Sequence, residues 1–311
     1  MSLIVNDLTK WFGPKCAVDA LRFEMHGPGV YGLIGTNGAG KTTTIRMILD
    51  MLPVDGGWAR WNGGPVAGSG LRYGYMPEER GIYMKTKVLE QLVYYGRLRG
   101  LGRQEAARAA LRWLDRLGVT EYRDMPAEKL SKGNQQKIQL ISTLIHDPEL
   151  IFLDEPFSGL DPLNTQLFHE LIQDMAREGK YIILSSHQMS TVEEYCREIT
   201  LLHKGRALLQ GDLGVIKRGY GHTKLLLGAS DEGYDMAEAA GLRKADSVGP
   251  DEKRPGERVY SLPEENADAI CEQLLRALLD RNIFPEKFVL SEPTLHEIFI
   301  DKVGQEEGGE A

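Results

Sequence analysis

One eight-residue segment limits the folds open to this chain more than any other. Residues 35–42 read GTNGAGKT and match the spacing G-x-x-x-x-G-K-[ST]. The glycines let backbone N–H groups turn inward and come close to phosphate oxygens. The run GVYGLIG leads in as a buried strand, and Ile45, Ile48, Leu49 and Leu52 follow at helical spacing. A helix beginning at this turn aims its partial positive charge at the same point. Strand, glycine-rich turn and helix together predict an α/β fold with a cradle for a nucleoside triphosphate. Its expected contacts are Gly35, Thr36, Asn37, Gly38, Ala39, Gly40, Lys41, Thr42 and Thr43. Lys41 would reach the β- and γ-phosphates and the Thr42 hydroxyl would bind Mg²⁺.

Two further apolar runs, ELIFLDEP and KYIILSSH, each end in polar residues. Continuous apolar runs suit strands buried on both faces of a parallel sheet. The carboxyl ends of such strands are where open α/β sheets hold ligands. Asp154 and Glu155 stand at one of these ends. Asp154 suits Mg²⁺, and Glu155 suits an attacking water, as base or as orienter. A lone Asp-Glu after a strand is weak by itself; beside a phosphate loop it gains meaning.

A helix-rich block lies at about residues 87–130. Leu89, Leu92 and Val93 begin one helix, and Ala107, Ala110, Leu111, Leu114 and Leu117 form the apolar face of another, ended by Gly118. The character changes after about Gly219. A strand over 223–227, a helix around Ala237, two strands flanking GPDEKRPGE, a long helix and a strand over 287–290 give a βαββαβ order. The long helix carries Ala267, Ile270, Cys271, Leu274 and Leu278 on one face, and a last short helix buries Leu295, Ile298 and Phe299. The expected division is therefore a domain over 1–218 and a small α+β domain over 219–303. The acidic tail over 304–311, GQEEGGEA, is expected to be disordered.

Composition narrows the function classes. The formal net charge is −8, so no overall basic surface points to nucleic acid. The three cysteines, Cys16, Cys196 and Cys271, are scattered without any C-x-x-C, which argues against a disulfide framework or a zinc site and fits a reducing cytosol. The N-terminus lacks a signal-peptide pattern, and no run approaches the ~18 apolar residues of a membrane span. If the chain serves transport, another polypeptide must supply the path.

The stretch KLSKGNQQKIQLISTLIHDPELIFLDEPFSGLDP resembles the ATP-binding-cassette (ABC) ATPases. LSKGNQQK is similar to the family signature, usually L-S-G-G-Q. The resemblance implies that Ser131, Gly133 and Asn134 reach the γ-phosphate of ATP held by a second subunit, so that two nucleotides join two chains, most simply a homodimer. SGLD, ending at Asp161, resembles the loop connecting the two sites. His187 resembles the switch histidine on the γ-phosphate, and Lys41 and Glu155 take the catalytic roles beside it. The family stacks an aromatic residue on adenine; in KWFG, Phe12 is the match and Trp11 the alternative. The resemblance covers about residues 2–218 and implies ATP and Mg²⁺ as ligands.

This chain departs from the family at two points. YGYMPEERGIY puts Glu78 where a glutamine usually links Mg²⁺ and water to the membrane subunit. A carboxylate ~4 Å from phosphate repels it by roughly 1 kcal/mol in water and about 4 at intermediate dielectric. Binding Mg²⁺ or pairing with Arg80 would remove that cost; otherwise Glu78 points to solvent and has no catalytic part. Lys132 replaces a signature glycine, either adding positive charge near phosphates or merely occupying the surface. PEERG, LSKGNQQK and the ending EPTLHEIFID together resemble the ATP-binding subunits of ABC-2-type exporters, including those called sodium-efflux ATPases. The resemblance implies a separate integral membrane permease, a position on the cytoplasmic face of the membrane, and no nucleic-acid partner. It leaves the cargo open between Na⁺ and a drug or peptide. A soluble cassette acting on ribosomes or DNA, and a P-loop kinase or GTPase, are the rival readings.

Overall fold

The computed structural model describes residues 1–68, 70–79, 81–245, 257–263 and 266–309. Arg80, and residues 249–256 of the polar turn, lie outside the described residues. The chain divides into two units, Met1–Gly211 and Asp212–Ala311. The division precedes the expected 218/219 because the helix Leu213–Tyr220 belongs with the second unit. Asp212 caps that helix by accepting from the Val215 N–H at 3.0 Å.

Among the described residues, ten strands belong to the first unit, the last of them ending at the boundary residue Asp212. They are β1 (Leu3–Phe12), β2 (Lys15–Met25), β3 (Gly29–Gly35), β4 (Gly56–Trp61), β5 (Gly64–Pro65), β6 (Tyr73–Met76), β7 (Leu150–Asp154), β8 (Tyr181–Ser186), β9 (Glu198–His203) and β10 (Arg206–Asp212). Its helices are α1 (Lys41–Ile48), α2 (Val88–Leu98), α3 (Arg103–Arg116), α4 (Lys132–Leu144), α5 (Pro162–Arg177) and α6 (Met189–Tyr195). One sheet runs β10-β9-β3-β8-β7-β6, with β9-β3-β8-β7-β6 parallel; a second, antiparallel sheet runs β2-β1-β4-β5. The burial patterns explain the difference. Every residue of β7 and β8 is buried, while β1 mixes buried with part-buried residues, in an alternation interrupted at Asn6 and Asp7, as a bulged strand with one wet face does.

A core formed by both sheets and α1 fixes the phosphate loop. Leu3, Val5 and Leu8 of β1, Phe23 of β2 and Leu33 of β3 join Ile45 and Ile48 of α1 in one buried cluster. Phe23 and Tyr31 stack with ring centroids 4.9 Å apart. The buried end of α1 therefore cannot shift without disturbing both sheets, and its N-terminus is held at the carboxyl edge of β3. α1 is shorter than its apolar spacing suggested: it stops at Ile48, and Leu52 is only partly buried.

The helix-rich block contains α2, α3 and two 3₁₀ turns, Thr120–Tyr122 and Ala127–Lys129. Its inward face differs from the predicted one. Ala106, Ala109, Ala110 and Leu114 are buried in α3, whereas Leu111 is exposed. Small alanines let α2 and α3 approach so closely that a Cβ on Gly96 would lie 2.9 Å from the Ala106 methyl carbon. Beside α4, β6 approaches just as tightly. A Cβ on Gly74 would sit 2.6 Å from the Thr143 backbone carbonyl oxygen, which cannot swing aside.

The second unit contains α7 (Leu213–Tyr220), β11 (Lys224–Gly228), α8 (Asp231–Ala239), β12 (Arg243–Lys244), β13 (Arg258–Ser261), α9 (Ala267–Asp280), β14 (Lys287–Ser291) and α10 (Leu295–Gly309). Its sheet runs β12-β13-β11-β14, all antiparallel. Leu225, Tyr234, Tyr260, Cys271, Leu274 and Leu278 build its core. The tail reading is corrected in part. α10, anchored by buried Leu295 and Ile298, carries the helix on through Gly309 and so takes in most of residues 304–311. Among the described residues, no helix is long and apolar enough to cross a membrane.

Gly74→Ala should lower unfolding free energy by about 1–3 kcal/mol through overpacking against α4. Gly219→Ala, with nothing within 4 Å of the added carbon, should be neutral or raise it by up to about 1 kcal/mol. Urea unfolding of both variants checks the pair.

Candidate nucleotide site

The phosphate loop is shaped by glycines that no other residue could replace. Gly35 has φ +157°, and a Cβ there would lie 2.4 Å from the Leu202 carbonyl oxygen. Gly40, at the start of α1, has φ +108°, and its Cβ would strike the Ala17 carbonyl oxygen at 2.6 Å. Between them the Ala39 N–H donates to Thr36 O at 3.1 Å, and the buried Ala39 methyl faces inward.

Lys41 is 6% exposed. Its Nζ donates to Gly35 O at 2.7 Å and to Thr36 O at 3.2 Å, and lies 3.3 Å from Glu155 Oε1. The ammonium therefore sits on the concave side of its own loop, next to the acid pair. Thr42 Oγ1 donates to Asp154 Oδ2 at 2.8 Å, and Ser185 Oγ donates to Asp154 Oδ1. Asp154 is 1% exposed and Ser185 fully buried, and both carboxylate oxygens have a hydroxyl donor.

Glu155 follows β7 in the left-handed region at φ +50°. Its N–H donates to Ser185 O at 3.1 Å and lies 3.3 Å from Ser185 Oγ. That backbone turn brings neighbouring side chains, which a strand would send to opposite faces, to the same phosphate loop, Asp154 at Thr42 and Glu155 at Lys41. Glu155 Oε2 accepts from His187 Nδ1 at 2.8 Å, and Glu155 Oε1 is buried without a hydrogen-bond partner. A buried carboxylate oxygen facing an ammonium at 3.3 Å has capacity left for one more donor.

A cavity of ≈ 420 Å³ opens over this centre. Phe12, Asn37, Gly38, Gly40, Lys41, Thr42, Thr43, Glu78 and Glu155 line it, together with Lys15 and Ala17. Phe12 is half exposed and forms part of the wall. Trp11 does not line it; its N–H donates to Asp55 Oδ2 at 2.6 Å. A smaller hollow of ≈ 250 Å³ adjoins, sharing Glu78 and Glu155 and adding Lys132, Gln136 and Gln139. Gly35, Thr36 and Ala39 support the loop without lining the larger cavity.

Ser131, Gly133, Asn134 and Asp161 do not line this cavity. Ser131 is the N-cap of α4, its Oγ accepting from the Asn134 N–H at 3.3 Å. Asp161 is the N-cap of α5, its Oδ1 accepting from the Asn164 N–H at 2.9 Å, and this backbone bond holds its carboxyl below the usual range. A Cβ on Gly133 would lie 3.0 Å from Asn164 Nδ2, so the two helix N-termini lie side by side. Within one chain these four residues form a surface edge.

The donor set suits a hard cation. Thr42, which lines the cavity, bonds Asp154 Oδ2 just beneath it, and the exposed Glu78 lies on the cavity wall. Among the described residues no group of three or more His, Cys, Asp and Glu could hold a metal by itself. One or two protein oxygens completed by substrate phosphates is how Mg²⁺ is commonly held. Sequence reasoning missed Ser185 and Gln139. Ser185 lay in view as a polar residue at a strand's carboxyl end; Gln139 read as one more polar position on a helix.

Comparison with known proteins identifies the family. The sequence pattern of the family described as "ABC transporter" matches residues 18–158, and that of "ATP-binding protein DrrA1-3-like, C-terminal domain" matches residues 211–303. The uncharacterized ABC transporter ATP-binding protein YhaQ of Bacillus subtilis (strain 168) is 42% identical over 307 residues, covering 97% of this chain and 98% of that one. The ABC transporter ATP-binding protein NatA of the same organism is 36% identical over 192 residues, covering 59% of this chain and 77% of that one. Among solved structures, an ATP-binding subunit of an ABC transporter superposes with TM-score 0.65 at 30% identity, covering 71% of this chain and 94% of that one.

Ser185→Ala should cost about 1–3 kcal/mol of stability, because it leaves a buried carboxylate oxygen without its donor. Equilibrium urea unfolding measures it.

Proposed function

This chain belongs to the ATP-binding proteins of ABC transporters, and from that premise we propose that it is the ATP-hydrolysing subunit of an ABC-2-type exporter whose transmembrane path another polypeptide supplies. The observation that carries the reading is the convergence on Glu155. Its carboxylate has Lys41 on one oxygen and His187 on the other, at the edge of a cavity walled by the phosphate loop.

Each residue then has a role. The loop amides of residues 36–43 and Lys41 bind the β- and γ-phosphates of ATP, Lys41 exchanging its loop carbonyls for phosphate oxygens. Phe12 offers its exposed ring to the adenine. Thr42 and Asp154, with Glu78 alongside, would hold Mg²⁺, whose charge offsets that of the phosphates. Glu155 orients the attacking water and accepts its proton. His187 fixes the direction of the Glu155 carboxylate and turns toward the γ-phosphate. Ser131, Gly133 and Asn134 of a second copy close over the nucleotide from outside, since within one chain they lie at a surface edge away from the cavity lining. Binding joins the two copies, and loss of the γ-phosphate removes the charge that joins them.

The contact with the membrane subunit lies around residues 78–83, at the cytoplasmic face of the membrane. A groove of ≈ 580 Å³ supports this reading; Met51, Tyr75, Pro77, Gly81, Tyr95 and Leu98 are among its lining residues. Leu98 in its wall is 64% exposed, and Tyr83, stacked on Tyr95 and 52% exposed, adds apolar surface beside it. A short amphipathic segment of the partner would lay its apolar face into such a groove.

Glu155→Gln should bind ATP as the unaltered chain does, hydrolyse it at least ~100-fold more slowly and accumulate as a dimer. Radiometric turnover and light scattering measure this, and unchanged turnover would overturn the assignment. Lys41→Ala should weaken ATP binding by about tenfold or more, measured by calorimetry, through loss of a charge-assisted contact. Purification with a hydrophobic membrane protein, rather than with nucleic acid, separates this function from a ribosome- or DNA-directed one.

A further inference from the structure

We propose that Gln139 is a positioning residue for Glu78, holding the Glu78 loop at the site through two backbone carbonyls. This deepens the reading above and rests on it only for the identity of the metal-bound triphosphate. Gln139 lies in the middle of α4, 4% exposed. Its Nε2 donates to Pro77 O at 2.7 Å and to Glu79 O at 3.1 Å. These are the carbonyls on either side of Glu78. An amide nitrogen carries two hydrogens, and here each has a separate acceptor. The peptide segment bearing Glu78 is thus pinned at both flanks by one side chain.

The pin is fixed at its own end. One turn further along α4, Thr143 Oγ1 bonds Tyr75 O at 3.4 Å, and the Thr143 backbone presses on Gly74. One turn nearer the N-terminus, Gln136 Nε2 donates to Pro156 O, in the loop that follows Glu155. Gln135 Nε2 donates to Ala127 O at 2.9 Å and Leu130 O at 3.2 Å. Side-chain amides on one helix therefore hold the segment before the signature, the loop after Glu155 and the loop around Glu78. Gln136 and Gln139 both line the hollow that Glu78 and Glu155 share. Glu78 itself is exposed, and the carbonyls flanking it set where its carboxylate can reach. A displacement of the signature end of α4 would be delivered to Glu78 through Gln139.

A merely structural role would make Gln139 matter to stability and nothing else. A positioning role makes it matter to metal, and only while Glu78 is present. The test uses the full chain with Gln139→Met, which keeps volume and removes both donors. Gln139→Ala, which leaves room for water beside the carbonyls, carries the same test should the methionine variant not fold. Mn²⁺ binding in the presence of a non-hydrolysable ATP analogue is read by electron paramagnetic resonance. Hydrogen exchange of residues 75–83 is read without nucleotide.

The expected result is Mn²⁺ affinity about 10-fold weaker and faster exchange over residues 75–83, with metal-free nucleotide affinity changed less than about 2-fold. In a Glu78→Ala background, the Gln139 change should weaken Mn²⁺ binding by less than about 2-fold further. Unchanged Mn²⁺ affinity, or the same loss with and without Glu78, would overturn the assignment. Should the unaltered chain hydrolyse no ATP, the proposed function falls, while the Mn²⁺ measurement still decides this one because it needs no turnover.

Discussion

The site depends first on a carboxylate taken out of water. Asp154 is 1% exposed and would carry a desolvation penalty of several kcal/mol if left alone. It is tolerated because Thr42 and Ser185 each give a hydroxyl to one of its oxygens. Those hydroxyls come from different places, the first turn of α1 and the end of β8. Helix and strand must therefore stay within hydrogen-bond reach of β7, and the adjacency β3-β8-β7 with α1 following β3 meets that requirement. Glu155 is drawn in by the same serine, through its backbone N–H. Phosphate loop and acid pair consequently behave as one rigid piece.

The segments around that piece are tied to α4 by polar bonds as well as by packing. α4 buries Ile138, Leu140, Ile141 and Leu144, yet its links to the three flanking segments run through side-chain amides. Directional bonds of this kind can be remade in a new register at modest net cost, about 0.5–1.5 kcal/mol each, whereas an interlocked apolar face resists small shifts. A rigid centre with a re-settable surround suits the proposed ATP-driven association cycle.

The legible parts of this fold were those whose surroundings leave a periodic or spaced trace. β3, β7 and β8 are buried on both faces and announce themselves as unbroken apolar runs. The phosphate loop was legible because backbone geometry demands glycine at Gly35 and Gly40. The antiparallel sheet was not read. β1 bears register shifts against β2, and bulges break the alternation by which a strand is recognised. The face of α3 was shifted because alanines supply close approach without much hydrophobic signal, which leaves Leu111 conspicuous in the sequence and exposed in the fold. The acidic tail was read on composition alone, which does not show that Leu295 and Ile298 anchor a helix running on through Gly309. Gln139 gave no signal at all: its partners are main-chain carbonyls, which have no letter in a sequence.

The left-handed backbone at Glu155 has a bearing on how this protein would respond to selection for robustness. A non-glycine residue in that region costs roughly 1–2 kcal/mol, and glycine or asparagine would relieve it. Directed evolution for heat tolerance alone would thus be drawn to replace the very side chain that gives the cavity its acid. Consensus-style stabilisation of this chain has to freeze that codon and look elsewhere for its gains.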